Sequence, residues 1–203
     1  MKSSESSQQK ARRIISQDGG VIRTSDAIRA GIHPRTLYAL RDKGVLELLS
    51  RGVYRLTDQE GVADPDLIIV ASRIPHAVIC LISALSFHEI TTQIPHAIAI
   101  ALPKGAETPR LNYPPLSIHR FSEEALKQGV ENHQINGIKV KVFNAEKTLA
   151  DCFKFRNKIG MDIVLEALKL YRSKGSFNTE KLLSYARICR VENVMRPYLE
   201  VML

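Results

Sequence analysis

The stretch from Thr24 to Leu56 constrains this chain more than any other. Two short helical patterns, each stopped by a glycine, run directly into a two-stranded pattern. Thr24, Ser25 and Asp26 offer side-chain oxygens suited to cap a helix, Ala27 to Ala30 continue it, and Gly31 can take the left-handed conformation that ends one. After Ile32 the pattern restarts, with His33 at the cap position and Pro34 at the first helical position, where a missing N–H loses no hydrogen bond. Arg35 to Lys43 follow before Gly44. Two short helices joined by a Gly-containing turn predict a helix-turn-helix. Val45 to Ser50, a turn at Arg51-Gly52, and Val53 to Leu56 then have the β-branched and aromatic content of a small hairpin, which reads as a wing.

At about 100° per residue, Leu37 and Leu40 share an inward face that can pack on Ala27 and Ile28, while Arg35, Tyr38, Ala39 and Asp42 fall roughly opposite. The candidate DNA contacts are His33, Arg35, Thr36, Tyr38 and Arg41 on the second helix, with Arg51 and Arg55 on the wing. An arginine near a helix N-terminus can reach guanine edges or phosphate, hydroxyls such as those of Thr36 and Tyr38 can donate to phosphate, and wing arginines can track the backbone. Units of this kind also serve as protein-binding modules, and a few arginines on a helix are commonly a solvated face. Charge favours nucleic acid. Over residues 23–55, Arg23, Arg29, Arg35, Arg41, Lys43, Arg51 and Arg55 outnumber Asp26, Asp42 and Glu47.

A winged module needs only about the first third of 203 residues, so two domains are expected, 1–60 for DNA binding and 61–203 for a second, effector function. A formal net charge of +8 favours an anionic partner. Nucleic acid fits better than a membrane, because no apolar run has bilayer-spanning length and the polar Met1 to Ser7 lacks the apolar stretch of a signal peptide. A cytoplasmic location follows as the expectation, with residues 1 to about 7 frayed. Cys80, Cys152 and Cys189 are odd in number, far apart and set in apolar sequence, which suits reduced buried thiols. The absence of tryptophan and the scarcity of aromatics argue against a platform that stacks single-stranded bases.

Elsewhere, Gln8 to Gln17 reads as a first helix ended by Gly19-Gly20, followed by a short strand at Val21 to Arg23. Thr57 to Pro65 turns polar and acidic, as a linker does. Asp66 to Arg73 is helical in pattern, Ala77 to Leu81 a short strand or helix start, and Ser83 to Glu89 a helix with Ser83 as its cap. Strands are expected at Ala97 to Leu102 and Leu116 to Arg120, and Gln134 to Phe143 forms a hairpin about Asn136-Gly137. Helices follow at Glu146 to Phe155, Gly160 to Ser173, Thr179 to Cys189 and Val191 to Met202. Strands first and helices after predict an α+β chain: a winged helix-turn-helix domain, then a mixed-sheet domain with a C-terminal helical region.

Signals for chemistry are missing. His88-Glu89 lacks a second histidine four residues on, where Thr92 stands, and there is no Gly-rich phosphate loop, no Gly-x-Ser-x-Gly elbow and no carboxylate spacing suited to Mg²⁺. No catalytic residue, metal site or cofactor is therefore expected. Lys147, Asp151, Lys154, Arg156 and Lys158 cluster on one helix and its following turn, a surface able to meet an acidic partner or a nucleotide, although such runs are commonly solvated faces with i to i+3 pairing.

Taken together, the wing motif Leu49 to Leu56, the run Ser83 to His88, the strand end Leu102-Pro103-Lys104-Gly105 and Lys147 to Lys154 resemble the AbiEi-type antitoxins over nearly the whole chain. The resemblance implies an antitoxin of a type IV toxin–antitoxin system tied to abortive infection and encoded beside a nucleotidyltransferase-like toxin. It implies that the winged domain represses its own operon by binding inverted repeats, which two copies of the chain can occupy as a dimer on DNA. It also implies that the C-terminal domain supplies antitoxicity, often without a stable complex with the toxin. Carried over by residue, it assigns DNA contact to Arg35, Tyr38, Arg51 and Arg55, with Lys147 and Asp151 as C-terminal matches for which a structural role is the other reading. Two other readings remain open at this point: a winged-helix regulator that senses a small molecule, and a nucleic-acid-processing enzyme targeted by the winged module.

Overall fold

The structure, a computed structural model, describes residues 6–58, 64–175 and 177–202. It is an α+β protein with an N-terminal winged helix-turn-helix. The chain divides into two compact units, one running to Pro75 and taking in His133–Val140, the other formed by His76–Asn132 and the residues from Lys141 onward. The expected boundary at 60/61 and the middle of the expected linker, residues 59–63, lie outside the described residues, as do residues 1–5 of the start expected to be frayed. Ser6 and Ser7 are not frayed. Ser6 Oγ accepts from the Gln9 backbone N–H and the Gln9 side chain accepts from the Ser6 N–H, a reciprocal capping box that fixes the first turn.

In the first unit the order is α1 (Ser7–Gln17), β1 (Val21–Arg23), α2 (Thr24–Arg29), α3 (Pro34–Asp42), β2 (Leu46–Ser50), β3 (Val53–Leu56) and α4 (Pro65–Arg73). The strands form one sheet in the order β1-β3-β2, antiparallel at both pairings. Ala11 and Ile15 of α1, Ile22, Ala27, Leu37, Leu40, Leu46, Tyr54 and Leu56 make its core. Two local expectations change. Thr24 is not a cap: it lies inside α2, whose cap position is Arg23, and its hydroxyl donates to the Gly52 carbonyl at 3.3 Å, tying the helix start to the wing. Ile28 is 52% exposed, because Ala27 occupies the inward position of this short helix and the next residue is turned about 100° away.

Beyond Pro75 the chain continues with β4 (Val78–Ile79), α5 (Leu81–Phe87), β5 (Ile98–Pro103), β6 (Leu116–Phe121), α6 (Glu123–Lys127), β7 (Val130–Ile135), β8 (Ile138–Phe143), α7 (Ala145–Lys154), α8 (Arg156–Ile159), α9 (Met161–Ser173), α10 (Thr179–Cys189) and α11 (Glu192–Met202), all in the second unit except His133–Val140 at the facing ends of β7 and β8. The sheet runs β6-β5-β4-β8-β7 and is mixed: β5 is parallel to β6 and antiparallel to β4, which is parallel to β8. Ser83 does not cap α5. It is buried within that helix, where its Oγ accepts from the Ala99 N–H at 2.8 Å and so pins the helix to β5. The short α6, capped by Ser122, carries no apolar periodicity long enough to be read from sequence.

Between β7 and β8, Asn136 and Gly137 have φ of 46° and 76°, the paired positive values of a two-residue hairpin turn. This tip packs within the first unit, where Asn136 Nδ2 donates to the Gly19 carbonyl at 2.9 Å and a Cβ on Gly137 would collide with the Asp18 carbonyl oxygen. Gly175 has a similar φ, 78°, but open space where its Cβ would be. In urea unfolding, Gly175→Ala should cost roughly 1 kcal/mol, the strain of a left-handed non-glycine residue, and Gly137→Ala at least about 2 kcal/mol because the collision adds to it. Equal losses would contradict the packing of the tip.

Candidate nucleic-acid interface

The orientation of α3 is set by two leucines. Leu37 and Leu40 are 0% and 3% exposed, and their burial turns Arg35 and Tyr38 outward. The helix starts as its sequence demands: His33 Nδ1 accepts from the Arg35 N–H at 3.2 Å and Pro34 fills the first position. His33 thus serves as the cap and positions Arg35. Thr36 faces α1, where it lines a small cleft with Ser7, Lys10, Ala11 and Ile14 rather than joining the outward row.

Tyr38 is 44% exposed, and the Arg41 guanidinium lies over its ring, 5.4 Å from the centroid. The Arg41 Nη2 and Nε also bond Asp42 Oδ1 at 2.8 and 2.9 Å, and Asp42 raises the Arg41 pKa through that hydrogen bond and its charge. Arg51 is exposed in the turn between β2 and β3, and its carbonyl accepts from Arg73 Nη1 at 3.4 Å. Arg55 stands apart. Tyr54 and Leu56 point into the core, so by strand alternation Arg55 lies on the other face of the sheet, where it bonds the cross-strand Glu47 at 2.8 and 3.0 Å.

The structure therefore brings Arg35, Tyr38 and Arg41 together on α3, sets Arg51 at the wing tip, and directs Thr36 and Arg55 elsewhere. Asp26 pairs with Arg23 and Arg29, Asp42 with Arg41, and Glu47 with Arg55. Lys43 donates to Gln8 Oε1. Among the described residues, Arg35 and Arg51 have no carboxylate partner, so their charge is available to an external anion. Exposed Ile28 and Leu48 were not anticipated as surface positions.

In the second unit, the expected surface around α7 is corrected. Lys147 and Asp151 are interior: their side chains are 0% and 1% exposed and bond each other at 2.5 Å. The Lys147 ammonium also lies 4.3 Å from the Phe143 ring centroid and 5.1 Å from that of Phe121, and Asp151 Oδ1 accepts from the Cys189 thiol at 3.1 Å. The cause is that α7 is buried on every side from Glu146 to Phe153, so charges on it persist only when paired. Burial pushes the Asp151 carboxyl above its ordinary range, against the pull of Lys147. Lys154 and Lys158 are exposed, and Arg156, half-buried, donates to the Phe153 carbonyl at 2.9 Å.

All three cysteines are free and buried. Burial pushes the Cys80 and Cys152 thiols well up, and burial followed by Asp151 pushes Cys189 up to about 12. Among the described residues no group of three or more His, Cys, Asp or Glu side chains is placed to hold a metal ion, and no helix is long and apolar enough to cross a membrane. Lys147→Met should destabilise the fold by about 3–5 kcal/mol by leaving Asp151 buried and unpaired, whereas adding Asp151→Leu should recover most of that loss. A double variant no better than the single one in urea unfolding would contradict the pairing. A thiol reagent at neutral pH should label no cysteine in the folded chain and all three in denaturant, since thiolate is the reactive form.

Residues 9–57, the span from α1 through the wing, match the model of a family described as transcriptional regulator, AbiEi antitoxin. That description is of a regulator family and not an enzyme class. Among solved structures, the RV2827C protein from Mycobacterium tuberculosis is similar, with a TM-score of 0.50 at 14% identity over 94% of this chain and 80% of that one. At that identity the likeness is one of fold. No curated protein sequence matches the chain. Residues 9–57 of this chain are thus similar to the transcriptional-regulator module of the AbiEi antitoxins, the family its sequence resembles.

Proposed function

We propose that the chain is a DNA-binding autorepressor and antitoxin of a type IV toxin–antitoxin system, acting in the cytoplasm without catalysis or cofactor. The N-terminal domain, residues 1–60, binds inverted repeats in its own operator. The domain of residues 61–203 counters a nucleotidyltransferase-like toxin, with or without a stable complex. The observation that carries this reading is the outward α3 face bearing Arg35 and Tyr38, together with Arg51 exposed at the wing tip, both arginines unengaged by carboxylates among the described residues, inside the segment that matches the AbiEi regulators. Arg51 at the wing tip tracks the phosphate backbone. In the second domain the surface offered to the toxin is reduced to Lys154, Arg156 and Lys158, since Lys147 and Asp151 are interior.

The test is binding of the full chain to its own upstream DNA against scrambled duplex, across a salt series. Two copies on an inverted repeat, each neutralising about three phosphates, give a log–log slope near −5, so affinity should fall roughly a thousandfold from 50 to 200 mM salt. Arg35→Ala should cost about 1–3 kcal/mol and relax sequence preference. Equal binding to scrambled duplex would count against the repressor reading.

A further inference from the structure

Arg35, Tyr38 and Arg41 follow one another at intervals of three along α3, so each is displaced by about 4.5 Å along the axis and turned by about 60° from the last. The row starts at Arg35, opposite the buried Leu37 and Leu40, and ends at Arg41 in the last turn of the helix. Its members differ in what they are free to do. The Nε and Nη2 of Arg41 are already taken by Asp42 Oδ1 at 2.9 and 2.8 Å, and its guanidinium carbon lies over the Tyr38 ring, 5.4 Å from the centroid. A guanine could replace Asp42 there only by leaving that carboxylate beside base edges and phosphates. Arg35 is exposed; its backbone N–H is held by His33, but its guanidinium has no carboxylate partner among the described residues. Tyr38 presents the remainder of a rigid, 44% exposed aromatic ring, a surface suited to a methyl group.

We propose that α3 reads base edges through Arg35 and Tyr38 alone, Arg35 taking the O6 and N7 edge of a guanine in the major groove and Tyr38 the methyl of a thymine on the neighbouring base pair, while Asp42 holds Arg41 out of base readout. The inference rests on the DNA-binding reading above. A base step of about 3.4 Å sets the 4.5 Å stagger of the two side chains against adjacent pairs. Placing the reading groups in the N-terminal half of the helix agrees with the way recognition helices enter the groove. The carboxylate of Asp42 then repels phosphates equally on every sequence and lowers the affinity for non-specific duplex.

The test starts from a duplex that the full chain selects from a random-sequence pool. In that duplex, 7-deazaguanine removes only the N7 acceptor of one guanine, and uracil removes only the methyl of one thymine. The wild-type chain should lose about tenfold in affinity at one guanine and about threefold at the thymine beside it. Arg35→Ala should ignore the 7-deazaguanine change yet still sense uracil, and Tyr38→Ala should do the reverse. Asp42→Asn should bind selected and unselected duplexes more tightly by a similar factor. All three side chains are exposed, and unchanged unfolding midpoints would show that the variants are folded. If Arg41→Ala, rather than Arg35→Ala, abolished the response to 7-deazaguanine, or if the wild-type chain selected a site but ignored both base changes, this inference would fall while the DNA-binding reading stood. A chain that selected no duplex at all would overturn both.

Discussion

The seating of Leu37 and Leu40 in the core of the first unit decides what the rest of that unit can do. Each buried leucine contributes roughly 1.5–3 kcal/mol, and together they fix the rotation of a nine-residue helix about its own axis. A turn of one residue would drive Tyr38 and Arg41 toward Ile15, Ile22 and Tyr54 and bring the leucines into water. The outward placement of Arg35 and Tyr38 is thus a consequence of apolar packing, with His33 and Pro34 fixing where the helix begins. The neighbouring carboxylates then sort the cations: those paired with Asp26, Asp42 and Glu47 are neutralised locally, and Arg35 and Arg51 keep their charge for a partner.

The second unit obeys a different constraint. Its central helix, α7, is packed by α5, α9, α10 and α11, so no side of it between Glu146 and Phe153 is left for water. A lysine and an aspartate in that setting survive by bonding each other, by the rings of Phe121 and Phe143 and by the Cys189 thiol. Such a pair adds little net stability compared with apolar packing, but removing one member is costly, which ties the register of α7 to that of α10. Of the cations along α7 and α8, the exposed ones, Lys154 and Lys158, lie beyond the buried stretch.

The winged module was legible because its punctuation is local. Gly31, Pro34 and Gly44 act through backbone conformation alone, and so does Asn136-Gly137 at the hairpin. The mixed sheet and the C-terminal helices followed from apolar runs of ordinary length. What escaped depends on contacts distant in sequence. Thr24 and Ser83 look like caps, but their hydroxyls bond Gly52 and the β5 backbone instead. Arg55 alternates with core residues, yet alternation alone does not say which sheet face carries α3. Lys147 and Asp151, spaced i to i+4, resemble an ordinary exposed pair. The contrary signal was the apolar character of Leu149, Ala150, Cys152 and Phe153, which leaves no polar side for water.

The most direct measurement is an amide chemical-shift titration of the full chain with duplex DNA from its own upstream region. The largest changes should fall on residues 33–41 and 50–53, at the start and outward face of α3 and at the wing tip, and should saturate at far lower duplex concentration with the upstream DNA than with scrambled duplex at the same salt. Perturbation centred on α7 and α8, or spread evenly and without regard to sequence, would contradict the assignment of α3 and the wing as the reading surface.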